Sequence, residues 1–294
     1  MSHYVRRDDG RPLDSGPPLR KTRTMAKDRL TLRAQFDMAA DLYQRARPDY
    51  PEELYRTLMD VTGIERGSRA LEVGCATGKA TVPLARRGVH VTCVELGAEL
   101  AAAARRNLTG YPGVTVITGA FEEVPSSGQP FDLVYAATAW HWIDPEVRYH
   151  RAWGLLRERG HLAFWSATHV FPVEGDRFFA DLQEIYEEIG EGRGDEEVMP
   201  RPGELPDSRR EIEQSGLFDV IAVEQFDWEV EYTADAYLDL LDTFSNHIAM
   251  ESWKRERLHS EIRRRLAQRA DGMLRRHWGA VLHVARRRDQ PHLR

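Results

Sequence analysis

The sequence predicts an open α/β fold in which parallel strands form a central sheet with helices on its faces. Three observations lead to this prediction. Between residues 69 and 166, short apolar segments alternate with helical patterns, as in parallel strands joined by right-handed crossovers. The first strand runs into a glycine turn that contains Gly74 and Gly78, and the second strand ends at the acidic residue Glu95. Ligands bind beyond such strand ends in folds of this class.

The individual elements of this half follow from apolar periodicity. Short apolar runs predict strands at residues 69–73, 89–96, 114–118, 131–136 and 161–166. The segments between them predict helices at residues 79–87, 99–108 and 146–156. Upstream, helical spacing from Phe36 to Tyr43 predicts a helix over 32–46, and a second helix over 52–62 ends at Gly63.

The C-terminal half departs from this alternation. It predicts helices at 178–189, 234–241 and 253–269, a loop at 190–206, and strands at 220–228 and 279–285. Because helical segments interrupt these strands, we predict lid insertions at about 168–215 and 234–277. We predict one domain over 32–288 with its cofactor-binding core at about 50–166, and tails at 1–31 and 289–294.

Composition and charge exclude several classes of protein. The chain has 294 residues, of which 41% are hydrophobic, so it can bury a core without disulfides. A net charge of −6 argues against a nucleic-acid binder. No apolar run approaches the roughly 20 residues of a membrane helix. Cys75 and Cys93 fit no metal or redox spacing, and the histidines do not cluster. We therefore expect a cytoplasmic protein without a metal.

The turn after the first strand carries the main functional signal. Gly74 and Gly78 lie four residues apart, in Glu72-Val73-Gly74-Cys75-Ala76-Thr77-Gly78. Glycine is needed where the backbone turns tightly or approaches a ligand. Glu95 follows Gly74 by 21 residues, and a carboxylate at this spacing accepts hydrogen bonds from the ribose hydroxyls of a nucleoside cofactor.

The charge of the turn indicates which nucleoside it binds. A dinucleotide turn reads Gly-x-Gly-x-x-Gly and presents helix amides to a pyrophosphate. That pattern is missing here, and Glu72 would repel a pyrophosphate. A cationic ligand suits Glu72, and S-adenosylmethionine carries both an ammonium and a sulfonium. The residues therefore favour S-adenosylmethionine over NAD.

With these residues in place, the sequence resembles the class I S-adenosylmethionine-dependent methyltransferases. The resemblance extends from about Phe36 to Val284 and rests on the segments 71–78, 91–96, 119–122 and 131–144. It implies a Rossmann-like sheet of seven strands with the last one antiparallel. The stretch Arg47-Pro48-x-Tyr50-Pro51 is similar to a branch of small-molecule enzymes like trans-aconitate methyltransferase.

The resemblance implies a role for each matching position around the cofactor. Glu72, Gly74, Ala76 and Gly78 would form the turn at its methionine end, and Glu95 would hold the ribose. Leu96, Ala120 and Phe121 would enclose the adenine, and Ala136 and Ala137 would offer backbone groups near the sulfonium. Tyr43 and Arg47 would close over the cofactor. The family usually has glycine at the position of Ala76, so its methyl group is expected to crowd the cofactor.

Substrate residues are expected after the fourth strand and in the second insertion. His141 is the candidate base or orienting group, and Trp140, Trp142 and His247 are candidate substrate contacts. Each also has a structural interpretation, as a core or surface residue. The acceptor is expected to be a small molecule, methylated on oxygen, nitrogen, carbon or a carboxylate, by a monomer or homodimer. The alternatives are a protein that binds S-adenosylmethionine without methyl transfer and an NAD-dependent oxidoreductase.

Overall fold

A computed structural model describes residues 40–126, 128–192 and 199–290 of the chain. The predicted tail at 1–31, Phe36 and the first part of the helix predicted at 32–46 lie outside the described residues, as do residues 291–294 of the predicted C-terminal tail. None of the described helices combines the length and the apolar character that a membrane span requires.

The sheet confirms the predicted class of fold. Its strands are β1 (Arg69–Val73), β2 (His90–Glu95), β3 (Val114–Thr118), β4 (Phe131–Ala137), β5 (Leu156–Trp165), β6 (Ala167–His169), β7 (Phe218–Thr233) and β8 (Met273–Arg287). The spatial order is β3-β2-β1-β4-β5-β8-β6, and β7 pairs with β8. Strands β1 to β5 are parallel, whereas β8 runs antiparallel to β5, β6 and β7.

Two features of the C-terminal strands differ from the prediction. The three-residue strand β6 follows β5 directly and adds an eighth strand to the seven expected. Strands β7 and β8 are also far longer than the predicted 220–228 and 279–285. On β7 the added segment Glu229-Val230-Glu231-Tyr232 keeps the polar–apolar alternation of a strand, which the prediction did not follow far enough. On β8 the added segment contains Arg275-Arg276-His277, where the apolar pattern is missing, and Arg275 pairs there with Glu229 and Glu231.

Ten described α-helices surround the sheet, and short 3-10 helical turns follow β3 at Phe121–Glu123 and β4 at Trp140–Trp142. The α-helices are α1 (Ala40–Ala46), α2 (Glu52–Thr62), α3 (Thr81–Arg86), α4 (Ala98–Asn107), α5 (Arg148–Leu155), α6 (Phe178–Glu188), α7 (Arg209–Gln214), α8 (Ala234–Leu241), α9 (Ser245–Ile248) and α10 (Ser252–Ala267). Helix α2 has the predicted bounds: it starts after Pro51 and ends at Gly63, which has φ +68° and donates its N–H to the Met59 carbonyl. Helices α7 and α9 are too short for their periodicity to identify them in the sequence.

The buried side chains form separate clusters on the sheet and under the C-terminal helices. One cluster on the sheet includes Leu54 and Leu58 of α2, and another includes Tyr149 and Leu155 of α5. A third cluster lies between helices α6, α8 and α10 and the outer half of the β7–β8 ladder. Helices α6, α8 and α10 thus share a core that lies beside the β7–β8 ladder.

Trp165, the last residue of β5, is the centre of a buried aromatic cluster at the carboxyl end of that strand. It is 1% exposed and stacks on Tyr135 with ring centroids 5.9 Å apart, and it meets the edges of Tyr50 and Tyr55. We expect Trp165→Ala to lower the free energy of unfolding by about 3–5 kcal/mol, because it leaves a large cavity in the core. Urea denaturation measures this change. The matched control Trp253→Ala, at a side chain 57% exposed, should change stability by less than about 1 kcal/mol; equal losses in both variants would contradict the role given to Trp165.

Candidate functional site

A cavity of about 410 Å³ opens at the carboxyl ends of β1, β2 and β4. The chain passes from β1 to β2 and β3 on one side and returns to β4 on the other, so the cavity lies at the switch in strand order, as predicted for the turn after β1. The predicted site residues that line it are Tyr43, Arg47, Gly74, Ala76, Glu95, Leu96, Ala120, Phe121, His141 and Trp142. Residues distant in the sequence therefore meet around one space.

A smaller chamber of about 40 Å³ shares part of this wall. Arg47, Gly74 and Thr138 line both spaces, whereas Glu72 and Lys79 line only the smaller one. Two cations and one carboxyl group therefore face the chamber. This combination suits a group that carries both an ammonium and a carboxylate, as the methionine end of S-adenosylmethionine does.

The turn after β1 needs glycine at both predicted positions, for different reasons. Gly74 has φ +68°, and a Cβ there would lie 2.6 Å from the Ala139 Cβ at the cavity wall. Gly78 has φ +91°, but its Cβ would meet the Leu108 side chain at 2.8 Å, away from both cavities. The expected cofactor contact of Gly78 is thus corrected: this glycine lets the turn pack closely on the residue that follows α4.

Ala76 adopts a left-handed conformation where the family usually has glycine. Its φ is +48°, which costs an alanine about 1–2 kcal/mol. Its N–H donates to Glu95 Oε2 at 2.8 Å, and its methyl group packs against Ala40, Leu100 and Ala103. The Ala76 methyl group therefore packs against residues of α1 and α4 rather than having only the cofactor to contact.

Glu95 joins the two turns that frame the cofactor half of the cavity. Its side chain is nearly buried, with Oε2 accepting from the Ala76 N–H and Oε1 accepting from the Gly97 N–H at 2.9 Å. A carboxylate has about four lone-pair sites, and Glu95 lines the cavity. Ribose hydroxyls are suitable donors to a carboxylate at this position.

Glu72 is a buried carboxyl group beneath the turn. It is 1% exposed, and its Oε2 accepts hydrogen bonds of 2.6 Å from both Thr81 Oγ1 and the Tyr135 hydroxyl. Burial raises the pKa of Glu72 to about 7, although these two hydrogen bonds act in the opposite direction. A cation entering the small chamber would favour the ionised form of Glu72.

Arg47 connects α1 to the segment that precedes α9. Its Nη2 donates to the Thr243 carbonyl at 2.8 Å, and its guanidinium lies 4.2 Å from the centre of the Phe244 ring. The guanidinium also lies over Tyr43, at 5.3 Å. Tyr43 and Arg47 thus form a wall that closes the cavity from the side of the C-terminal insertion.

Thr138 is a site residue that sequence reasoning missed. It follows β4 with φ +55°, an outlier for a β-branched residue, and lines both cavities. Its Oγ1 lies 2.5 Å from the Tyr50 hydroxyl and accepts from the Ala167 N–H at 3.1 Å. The surrounding structure holds the strained residue in place, as is common at functional sites. Its position beside Ala136, after the fourth strand, was the available signal.

Three predicted contacts need correction. Ala136 is fully buried, and the adjacent Ala137 lines the cavity because successive strand residues face opposite sides. Trp140 is 3% exposed and stacks on Phe164 in the core behind the cavity, so it is not a substrate wall. Trp142, two residues further along the same helical turn, lines the cavity as predicted.

His247 is likewise not among the residues that line the cavity. It is 4% exposed, and its Nε2 shares a hydrogen bond of 2.9 Å with the Tyr186 hydroxyl. Burial lowers the pKa of His247 to about 4. Ser245 and Asn246, its neighbours in α9, line the cavity in its place.

Comparisons with known proteins agree with this geometry. Residues 71–164 match the family model described as a methyltransferase domain. The chain is 27% identical to an uncharacterised methyltransferase of Mycobacterium tuberculosis, over 83% of this chain and 90% of that protein. It is 31% identical to a Dictyostelium discoideum protein named as a methyltransferase, over 53% of this chain and 58% of that protein.

A solved structure shares the architecture. The protein of Anaeromyxobacter dehalogenans described as a type II methyltransferase superposes with a TM-score of 0.60, covering 82% of this chain and 97% of that chain at 24% identity. Sheet, cavity and matches together define a class I methyltransferase domain. The chain is an enzyme of this class and uses S-adenosylmethionine as its cofactor.

The raised pKa of Glu72 predicts a pH-dependent stability. The unfolded pKa is about 4.3, so the folded protein binds the extra proton between that pH and about 7, and stability falls as pH rises through this window. We expect Glu72→Gln to stabilise the protein without cofactor by about 1–3 kcal/mol at pH 8 and to change it little at pH 4. Thermal and urea unfolding at both pH values measure this difference.

The same substitution should weaken the cofactor complex. Glu72 lines the smaller chamber, where we expect the ammonium of the cofactor to bind, so loss of its carboxylate should reduce affinity for S-adenosylmethionine about tenfold or more, as measured by calorimetry. Glu65→Gln, at an exposed loop position, is the matched control and should alter neither quantity. Parallel pH–stability curves for wild type and Glu72→Gln would contradict this account of Glu72.

Glu95 gives a second prediction. Glu95→Ala removes both bonds to the turns and the carboxylate that we expect to accept from the ribose, so affinity for S-adenosylmethionine and S-adenosylhomocysteine should fall at least about 100-fold. Calorimetry with both ligands and with NAD measures the effect. The exposed Glu99→Ala in α4 is the control and should bind as wild type does. Retained affinity in Glu95→Ala, or binding of NAD alone, would overturn the assigned site.

Proposed function

We propose that this enzyme transfers a methyl group to a small-molecule acceptor bound beside the cofactor in the 410 Å³ cavity. The observation that carries the proposal is the composition of one continuous wall. Its cofactor half contains Gly74, Glu95 and Phe121, and its other half contains His141, Trp142 and Phe244. A cofactor in the first half would direct its reactive end toward the second.

The enclosure of the acceptor half supports a small substrate. Phe244, Ser245 and Asn246 line the cavity together with His141 and Trp142, which follow β4. The full volume is in the range of pockets for small ligands and must also hold the cofactor. A folded protein or a nucleic-acid duplex would need a broad open groove. We infer that residues 168–215 and 234–277 act as lids over this space, as their position between C-terminal strands suggests.

The lining groups constrain the charge of the acceptor. The described carboxylates of the main cavity, Glu95 and Glu122, follow β2 and β3 on the cofactor side. The acceptor half offers a histidine, an indole and several hydroxyl groups. A cationic ammonium would find little compensation there, a neutral acceptor would need none, and an anionic acceptor could pair with Arg47, which lines the same cavity. The motif around Arg47 and Tyr50 suggests the branch similar to trans-aconitate methyltransferase, whose acceptor is a carboxylate.

The mechanism requires mainly positioning. S-adenosylmethionine supplies a methyl group on a sulfonium, which is a good leaving group. Thr138, held by Tyr50 and Ala167, forms the wall between the two chambers and limits where an acceptor atom can lie. Methyl transfer needs that atom at about 3 Å and in line with the sulfur. A carboxylate acceptor needs no base, whereas a hydroxyl or a carbon acid would use His141 as base.

A mass-shift screen tests the proposal. The purified enzyme is incubated with S-adenosylmethionine and pools of small carboxylic acids, phenols, enols and amines, and mass spectrometry detects products that gain one methyl group. We expect stoichiometric S-adenosylhomocysteine and a methylated acid or hydroxyl compound. For a hydroxyl acceptor, His141→Asn should lower kcat about 100-fold or more. The control His150→Asn lies on the exposed face of α5 and should retain full activity.

Two outcomes would contradict the proposal. Formation of S-adenosylhomocysteine only with added peptides or nucleic acids would exclude a small-molecule acceptor. Tight binding of S-adenosylmethionine without turnover on any pool would favour a protein of this fold that binds the cofactor and does not transfer its methyl group.

A further inference from the structure

A second cleft, of about 440 Å³, lies at the opposite end of the sheet from the cofactor site. It is formed where β8 ends beside the first residues of β7 and the middle of β5. Its charged lining residues are Arg159, Asp219, Arg286, Arg287, Arg288 and Asp289. None of them belongs to the methyl-transfer cavity.

The strand register places these charges. Arg286 of β8 lies opposite His161 of β5 and Asp219 of β7. Arg288 Nε donates to Asp219 Oδ1 at 2.7 Å. Asp219, the register partner of Arg286, is therefore already paired with another arginine. Arg287 lies with its guanidinium 4.0 Å over the Trp153 ring and donates to the Trp153 carbonyl. Three consecutive arginines at the end of β8 therefore line the cleft, and the guanidinium of the middle one, Arg287, is held on Trp153.

The charges in the cleft are not balanced. Four arginines face two aspartates, and one of these aspartates is bound to Arg288. Within residues 40–126, 128–192 and 199–290, no carboxylate lies at ion-pair distance from Arg159 or Arg286. Arg159 is exposed and has φ +60°, so a strained turn in β5 directs this cation to the cleft. An excess of positive charge therefore comes from β5 and from the end of β8, whereas β7 contributes the acidic Asp219.

A neighbouring histidine responds to this excess. His161, on the same strand pairing as Arg286, has its pKa lowered to about 4 by burial first and then by the charges of Arg157 and Arg286. Arg157 itself is bound to Asp132, outside the cleft. Like charges this close repel one another, and a bound anion would remove that repulsion.

We propose that this cleft is a binding site for a small multivalent phosphate anion, separate from the methyl-transfer site. The guanidinium group matches phosphate oxygens with two parallel N–H donors, and it keeps its charge throughout the accessible pH range. An anion with two or more charges balances the excess of arginine over aspartate. Arg159 and Arg286 are the principal contacts, because the described structure gives them no carboxylate partner.

Calorimetry and thermal unfolding with sodium tripolyphosphate test the site, at constant ionic strength set with sodium chloride. We expect saturable binding at one site and a melting temperature that rises with ligand concentration. Arg286→Gln and Arg159→Gln should each weaken binding about tenfold, the loss of one charge-assisted contact. Both variants should bind S-adenosylhomocysteine as wild type does, which shows that they are folded.

Arg275→Gln is the matched control, because Arg275 lies near the other end of β8 and pairs with Glu231. It should bind tripolyphosphate with wild-type affinity. Equal affinity in wild type, Arg286→Gln and Arg159→Gln would overturn the proposal. So would an effect that equimolar charge from sodium sulfate reproduces in full, or competition between tripolyphosphate and S-adenosylhomocysteine, which would place the anion in the cofactor site.

Discussion

The carboxylate of Glu95 is the constraint on which the shape of the cofactor site depends. One oxygen binds the turn after β1 at Ala76, and the other binds the turn after β2 at Gly97. Two loops from neighbouring parallel strands are thereby held at a fixed separation. Glu72, one strand away, is bound instead by side-chain hydroxyls and is buried. Two acidic residues on adjacent strands therefore have different environments: Glu95 binds backbone N–H groups and lines the main cavity, whereas Glu72 is buried and lines the smaller chamber.

Strain near the cavity follows from this arrangement. Ala76 and Thr138 are two non-glycine residues with left-handed backbone, and both lie in the wall where the chambers meet. Each is held by hydrogen bonds from other elements, Ala76 by Glu95 and Thr138 by Tyr50 and Ala167. Two unfavourable backbone conformations are thus held in the wall that the two chambers share. Packing elsewhere in the protein, above all the aromatic contacts around Trp165, offsets the free-energy cost of these two backbone conformations.

Sequence reasoning succeeded where a local pattern determines position. The parallel strands are buried apolar runs, and the spacing between Gly74 and Glu95 reflects one strand–helix–strand unit, so the core of the site could be predicted. It failed where orientation depends on distant packing. Whether Trp140 or Trp142 faces the cavity is decided by the rotation of a short helical turn against Phe164, and His247 is buried by Tyr186 from another insertion. For Thr138 the only signal was its position directly after β4, because threonine as a residue type does not mark a left-handed conformation.

The pairing of β7 with β8 has a consequence for how this enzyme could change its substrate. Thr233, the last residue of β7, is the register partner of Met273, the first residue of β8. The 39 residues between them leave the sheet and return to it at neighbouring points, and they pack on a core that is separate from the sheet clusters. Such a segment can be exchanged as a cassette, since its two attachment points already fit a tight connection. Recombination at this junction would change the part of the cavity that Phe244, Ser245 and Asn246 line, together with the contacts of Arg47, while the turns bound by Glu95 would be inherited unchanged.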